Sequence, residues 1–152
     1  MEHLTKKLTE DEEFAQFGVP ECPTMKERIA RFIFTQVANG LEFLHEEALV
    51  ANRDLKPENM LFTTKEGGTN IFSHDRAQIT DFTTVFPLSK TAPDDDLISG
   101  IQGTPAYMAP EMSQRSEYKP RPLDVWSFGV SLYAFMFDEM PFWGDTPDVI
   151  TS

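Results

Sequence analysis

Eight residues, Asn52-Arg53-Asp54-Leu55-Lys56-Pro57-Glu58-Asn59, constrain this chain more than any other stretch. They bring a carboxylate, an ammonium and a carboxamide together, beside a proline that fixes the backbone. Phosphoryl transfer needs one group to accept a hydroxyl proton, one to neutralise phosphate charge and one to hold a metal. Asp54, Lys56 and Asn59 match those needs in that order. Taken alone, the stretch reads equally well as a charged turn, because proline and asparagine favour turns. The companions downstream decide between these readings.

A chain of 152 residues is one domain's worth and can bury a core. It is 40% hydrophobic and 25% charged, the balance of a soluble globular protein. The net charge of −12 argues against nucleic acid or an anionic membrane as partner. Cys22 is the single cysteine, which excludes an internal disulfide and a cysteine-rich metal site. That fits a reducing compartment, and a cytoplasmic location is expected. The longest apolar stretch, around Phe128 to Phe137, is too short and interrupted to span a bilayer. No secretory signal opens the chain.

In chain order, an acidic N-terminal segment (Glu10 to Glu13) precedes Thr24 and Glu27, which form a capping box. A helix is predicted from there to about Glu46. Its core face is read from Met25, Ile29, Ile33, Val37 and Leu41, widened by Phe32, Gln36 and Phe43. His45 is expected to complement the helix C-terminus rather than to ligate. Leu49 to Ala51 and Met60 to Thr63 read as short strands, Lys65 to Gly68 as a turn, and Thr69 to Arg76 as a surface insertion. A returning strand is expected at Ala77 to Thr80. His74 and Asp75 within the insertion are weak as a metal pair. Asp81-Phe82-Thr83 places a carboxylate at a strand end, where oxygen ligation of Mg²⁺ is reasonable. Thr84 to Gly103 lacks periodicity and reads as a mobile loop. Asp124 is expected to cap a helix running to about Phe137, apolar nearly all round and therefore buried.

Five pieces stand in one order: D-L-K-P-E-N at Asp54, D-F-T at Asp81, G-T-P-A-Y-M-A-P-E at Gly103, D-V-W-S-F-G at Asp124, and Pro141-Phe142. Together they resemble the catalytic domain of eukaryotic serine/threonine protein kinases, over residues 24 to 143. The stretch Ser131 to Phe137 looks closest to the calcium/calmodulin-dependent protein kinase kinase group. The resemblance implies an α+β fold: a kinase-like C-terminal lobe, mainly helical with short β hairpins, lacking the N-terminal lobe and the last helices. Residues 1–23 would then be a hinge-like and acidic segment, with Met1 to Leu4 as the hinge. Residues 24–143 would be the lobe core and 144–152 a truncated tail.

In this resemblance Asp54 is the base, Lys56 neutralises the γ-phosphate of ATP, and Thr104 positions the acceptor hydroxyl by bonding toward Asp54 and Lys56. Asn59 and Asp81 hold Mg²⁺. Glu58, Asn59, Leu61 and Asp81 face the nucleotide, with Leu61 as its floor. Arg53 is the usual partner of a phosphate on the loop, for which Thr91, Ser99 and Thr104 are candidate acceptors. Asp124 bonds back to the backbone of the Asp54 loop. The implied partner is a protein carrying a serine or threonine. Calmodulin dependence would reside outside these residues.

Two departures stand out. Asn52 occupies a position where the family usually has histidine, and Thr83 replaces a glycine. A β-branched residue does not freely adopt positive φ, so Thr83 is expected to restrict movement of Phe82. With no glycine-rich loop and no lysine-bearing strand in these 152 residues, transfer by them alone is not expected. Phe142 and Trp143 are expected to form an exposed apolar patch. The second reading is therefore a catalytically inert, kinase-like binding module.

Overall fold

The computed structural model describes residues 25–63, 76–92 and 96–142. Helix α1, Met25–Glu46, is the longest element. It buries Ile29, Ala30, Phe34, Val37, Leu41 and Leu44. Ile29, Val37 and Leu41 of the predicted face are buried, whereas Phe32, Ile33, Gln36 and Phe43 are not. Residues spaced strictly by four drift about 40° per step around a helix of 3.6 residues per turn. Alternating steps of three and four follow a straight stripe instead, through Ala30, Phe34, Val37, Leu41 and Leu44. Ile33, in the row of fours, is consequently only partly covered, and Phe43, far around the helix from Leu41, points outward, 59% exposed. Thr24, the other half of the expected capping box with Glu27, lies outside the described residues, as does the expected hinge at Met1 to Leu4.

Two small antiparallel sheets follow. Strand β1, Val50–Ala51, leads into the Asp54 loop, and a 3-10 turn at Pro57–Asn59 hands the chain to β2, Met60–Thr63. Strand β2 pairs with β3, Arg76–Ile79, with Met60 opposite Ile79 and Thr63 opposite Arg76. The ladder continues past the strand ends, because the Thr80 amide donates to the Asn59 carbonyl at 2.8 Å. This hairpin leans on α1, where Gln36 Oε1 accepts the Ala77 amide at 3.4 Å. The expected turn at Lys65 to Gly68, and the insertion up to residue 75 with His74 and Asp75, lie outside the described residues.

Strand β1 pairs with β4, Phe86–Pro87, as Val50 opposite Pro87 and Ala51 opposite Phe86. Thr84 to Gly103 is thus not the featureless loop expected. The Leu88 amide donates to Leu49 O at 2.7 Å, Ile98 and Tyr118 exchange both backbone bonds, and Asp96 Oδ1 accepts the Ser89 amide at 2.8 Å. A two-residue strand has no period to read, and single bridges have none at all. Ile98 also enters a core cluster with Met108, Ala109, Met112, Tyr118 and Leu123, against which Phe86 and Trp126 pack.

After a 3-10 turn at Pro105–Tyr107 and the one-turn helix α2, Glu111–Gln114, helix α3 runs over Pro120–Phe137. It begins four residues before Asp124, which therefore does not cap it; Lys119 does the capping by position alone. Pro120 and Pro122 are tolerated in the first turn because those amides have no partner within the helix. Helix α3 is not buried all round either. Leu123, Asp124, Ser127, Val130 and Ser131 form its buried stripe, while Val125 (58%) and Phe137 (60%) face outward. Phe34 of α1 packs edge-on against Phe128 and Phe135 of α3, each with ring centroids 5.6 Å away. Phe142 stacks on Trp126 at 5.3 Å, so part of the apolar patch expected there is covered. Trp143 lies outside the described residues.

The α1 stripe sets a contrast to measure. Leu41→Ala should lower unfolding free energy by roughly 2–5 kcal/mol in urea titrations. Phe43→Ser, taken from the face first read as core, should stay within about 0.5 kcal/mol.

Candidate active site

The Asp54 loop takes its shape from a residue 70 positions away. Asp124, fully buried on α3, accepts the Asn52 amide at 2.8 Å through Oδ2 and the Arg53 amide at 2.7 Å through Oδ1. His45 Nε2 lies 2.8 Å from the same Oδ2. His45 does stand in the last turn of α1, as read, but it is buried there as a partner of Asp124. Arg53 sits at φ 69°, a left-handed conformation that turns the chain sharply toward Asp54. Its Nε donates to Thr84 O at 2.6 Å, and its guanidinium lies over the Phe86 ring at 5.8 Å.

With the backbone set, Asp54 gathers the other candidates. Thr104 Oγ1 donates to Asp54 Oδ1 at 2.8 Å. Lys56 Nζ donates to Asp54 Oδ2 at 2.8 Å and to Thr104 Oγ1 at 2.7 Å. Asn59 Nδ2 donates to Asp54 O at 2.8 Å and to Oδ2 at 3.3 Å. A carboxylate offers about four acceptor positions, so these side chains leave about one to receive a further O–H. Leu55, with no exposed surface, anchors the loop between Asp54 and Lys56. Gly103 makes the approach of Thr104 possible. It has φ 118°, and a Cβ there would meet Arg53 O at 2.8 Å.

Asp81 stands opposite, exposed, at φ 59°. The Thr83 hydroxyl donates to its Oδ1 at 2.6 Å and the Thr83 amide to the same oxygen at 3.2 Å. The Thr83 hydroxyl first, then its amide, hold the Asp81 carboxyl below its ordinary value of 3.8, against a small opposing effect of burial and with help from Lys56. Positive φ falls on Asp81 and not on Thr83. The residue that replaces a glycine therefore needs no glycine conformation, and its hydroxyl is put to use.

Magnesium is usually held by one or two carboxylate or carboxamide oxygens together with phosphate oxygens and water. The donor set fits. Asn59 spends its nitrogen on Asp54, leaving Oδ1 as its oxygen donor, and Asp81 is an anion whose Oδ2 has no hydrogen-bond partner among the described residues. No group of three or more His, Cys, Asp or Glu suited to a metal occurs among the described residues. Glu58 and Leu61 are exposed at the near end of β2, and Phe82 is 48% exposed. Thr91 and Ser99 are exposed as well, whereas the Thr104 hydroxyl is already engaged. Sequence reasoning missed Thr84, whose hydroxyl donates to Asn52 O at 2.7 Å, and the reach of Asn52 to Asp81 O at 3.3 Å. Neither carries a signal in a single sequence.

Residues 3–151 match the family model described as protein kinase domain. The chain belongs to the protein kinase family. It is 37% identical over 82% of its length to a probable serine/threonine-protein kinase of Dictyostelium discoideum. To serine/threonine-protein kinase ppk34 of Schizosaccharomyces pombe it is 36% identical over 74% of its length. CBL-interacting serine/threonine-protein kinase 15 of Arabidopsis thaliana is 36% identical over 78% of it. The kinase chain spans 16%, 28% and 25% of the length of these relatives.

Two expectations follow for the site. Asp124→Ala leaves two loop amides and His45 without their acceptor, and should cost roughly 3–5 kcal/mol by urea unfolding. Asp124→Asn, which keeps one acceptor oxygen, should cost less, about 1–3 kcal/mol. Thr83→Val removes the shorter bond to Asp81 and should raise the carboxyl's midpoint toward 3.8 in a ¹³C NMR titration. Because the folded value is depressed, the stability linked to Asp81 is present above the ordinary value and lost as pH falls through the folded one. In Thr83→Val that loss should therefore narrow.

Proposed function

We propose that these residues form the C-terminal lobe of a serine/threonine kinase catalytic domain, transferring the γ-phosphoryl group of ATP to a protein hydroxyl. One observation carries the reading: the Asp54 carboxylate is held by Lys56, Asn59 and Thr104, yet keeps capacity for one more hydroxyl. Asp54 takes the proton of the acceptor hydroxyl as that oxygen bonds to phosphorus and the bond to the ADP oxygen breaks. Lys56, 2.8 Å from Asp54, offsets negative charge beside the reacting oxygens. Thr104 orients the Asp54–Lys56 pair, and Glu58 and Leu61 line the nucleotide side. Asn59 and Asp81 would hold Mg²⁺, which supplies the charge that a polyphosphate needs neutralised.

Asn52 and Thr83, the departures that favoured an inert binding module, both make contacts that support the catalytic arrangement. Placement within the calcium/calmodulin-dependent protein kinase kinase group rests on Ser131 to Phe137. The name of the Arabidopsis relative, CBL-interacting, supports a regulatory protein partner besides the substrate. A cytoplasmic location is part of the same proposal.

In the native full-length polypeptide, Asp54→Asn should cut phosphoryl transfer to a protein substrate by about 10²–10⁴-fold. ATP should still raise its melting temperature, and only with Mg²⁺ present, since a ligand bound by the folded state alone stabilises it. Equal transfer by Asp54→Asn would overturn the assignment of the base. An absence of any Mg²⁺-dependent shift would favour the binding module.

A further inference from the structure

The two carboxylate oxygens of Asp81 are not alike. Oδ1 accepts the Thr83 hydroxyl at 2.6 Å and the Thr83 amide at 3.2 Å. Oδ2 has no hydrogen-bond partner among the described residues. A carboxylate oxygen carries two lone-pair positions, so Oδ1 is filled and Oδ2 is open. The amide bond is one that almost any residue at position 83 could donate. The hydroxyl bond needs the side chain that this chain has there.

That second bond is well placed to last. It joins a hydroxyl to an anion, which makes it stronger than a bond between neutral groups. Branching at Cβ leaves Thr83 few χ1 rotamers, so its hydroxyl does not swing away freely. Asp81 and Thr83 are both exposed, so no packed neighbour orients the carboxylate in their stead.

The asymmetry bears on how many cations the site can hold. Protein kinases place two Mg²⁺ ions on one carboxylate and one carboxamide, and the carboxylate has then to serve both. Here Asn59 gives its nitrogen to Asp54 and keeps one oxygen for a metal. No cluster of three or more His, Cys, Asp or Glu among the described residues supplies a substitute. We infer that Thr83 is a specificity-determining residue that closes Asp81 Oδ1 and so biases the site toward one divalent cation per nucleotide. The inference rests on the proposed reading of Asn59 and Asp81 as metal ligands. Thr83 touches no metal itself; it is a positioning residue that acts through Asp81.

Manganese reports the count, because Mn²⁺ takes oxygen ligands as Mg²⁺ does and is visible in electron paramagnetic resonance. The native full-length polypeptide, saturated with a non-hydrolysable ATP analogue, should hold one Mn²⁺ tightly and a second only weakly. Thr83→Val is nearly isosteric and removes the hydroxyl; it should tighten the second ion by about tenfold, the worth of one hydrogen bond. Thr83→Ala should do the same, and Thr83→Ser, which restores the hydroxyl, should behave like the unsubstituted protein. The first ion should shift far less in all three. Equal second-ion affinity in Thr83→Val and the unsubstituted protein overturns the inference. So does an equal change at both ions, which a general loosening of the loop would give. Should Thr83→Val not fold, Thr83→Ala decides by the same count. If the unsubstituted protein adds nothing to the Mn²⁺ affinity of the free nucleotide, the metal-ligand reading falls and takes this one with it, a failure visible before any substitution is made.

Discussion

A single buried carboxylate organises this structure. Asp124 has no exposed surface, and an ion in that position would be prohibitively costly without close partners. It has two backbone amides and a histidine. Those contacts join α3 to the end of α1 and to the loop before Asp54, so a helix about 70 positions away fixes both at one group. The loop's left-handed turn at Arg53 is held by its amide bond to Asp124 and by its side-chain bond to Thr84 O. The catalytic candidates inherit their positions from that turn.

The reactive end of the site is built from charge and hydroxyl balance. Lys56 and Asp54 neutralise one another at 2.8 Å, with the Thr104 hydroxyl accepting from one and donating to the other. Both side chains keep some contact with solvent, which tempers the strength of the pair. Asp81 lies in open water and gains its acidity from hydrogen bonds rather than from enclosure. The two halves of the site are thus tuned differently, one by mutual compensation and the other by local donors.

Much of this was legible in the sequence. D-L-K-P-E-N, D-F-T and G-T-P-A-Y-M-A-P-E announce the site because each contains chemistry at short range, and Asp54, Lys56 and Thr104 do meet. The predicted bond from Asp124 to the Asp54 loop is present, although Asp124 does not open its helix. What escaped was whatever depends on register or on distance along the chain. Ile33 was misplaced because a strict row of fours drifts around a helix, and Phe43 because it lies about 200° around the helix from Leu41. The pairing of Val50 and Ala51 with Phe86 and Pro87 is too short to leave a pattern. His45 meets Asp124 across 79 positions, a separation over which one sequence carries no periodicity.

The exchange of backbone bonds between Ile98 and Tyr118 has a mechanical meaning. The chain that delivers Gly103, Thr104 and the short helix α2 is closed at its base by this pair, like a ring shut with a clasp, while Met108, Ala109 and Met112 seat it in the core. Its freedom is that of a closed loop, whose entropy is already reduced. A cut inside the ring would leave its two halves joined at the clasp. Thr104 would then stay near Asp54 after the covalent path between Gly100 and Tyr118 had been broken, held by its bonds with Asp54 and Lys56 and by the packing of Met108 and Met112 in the core.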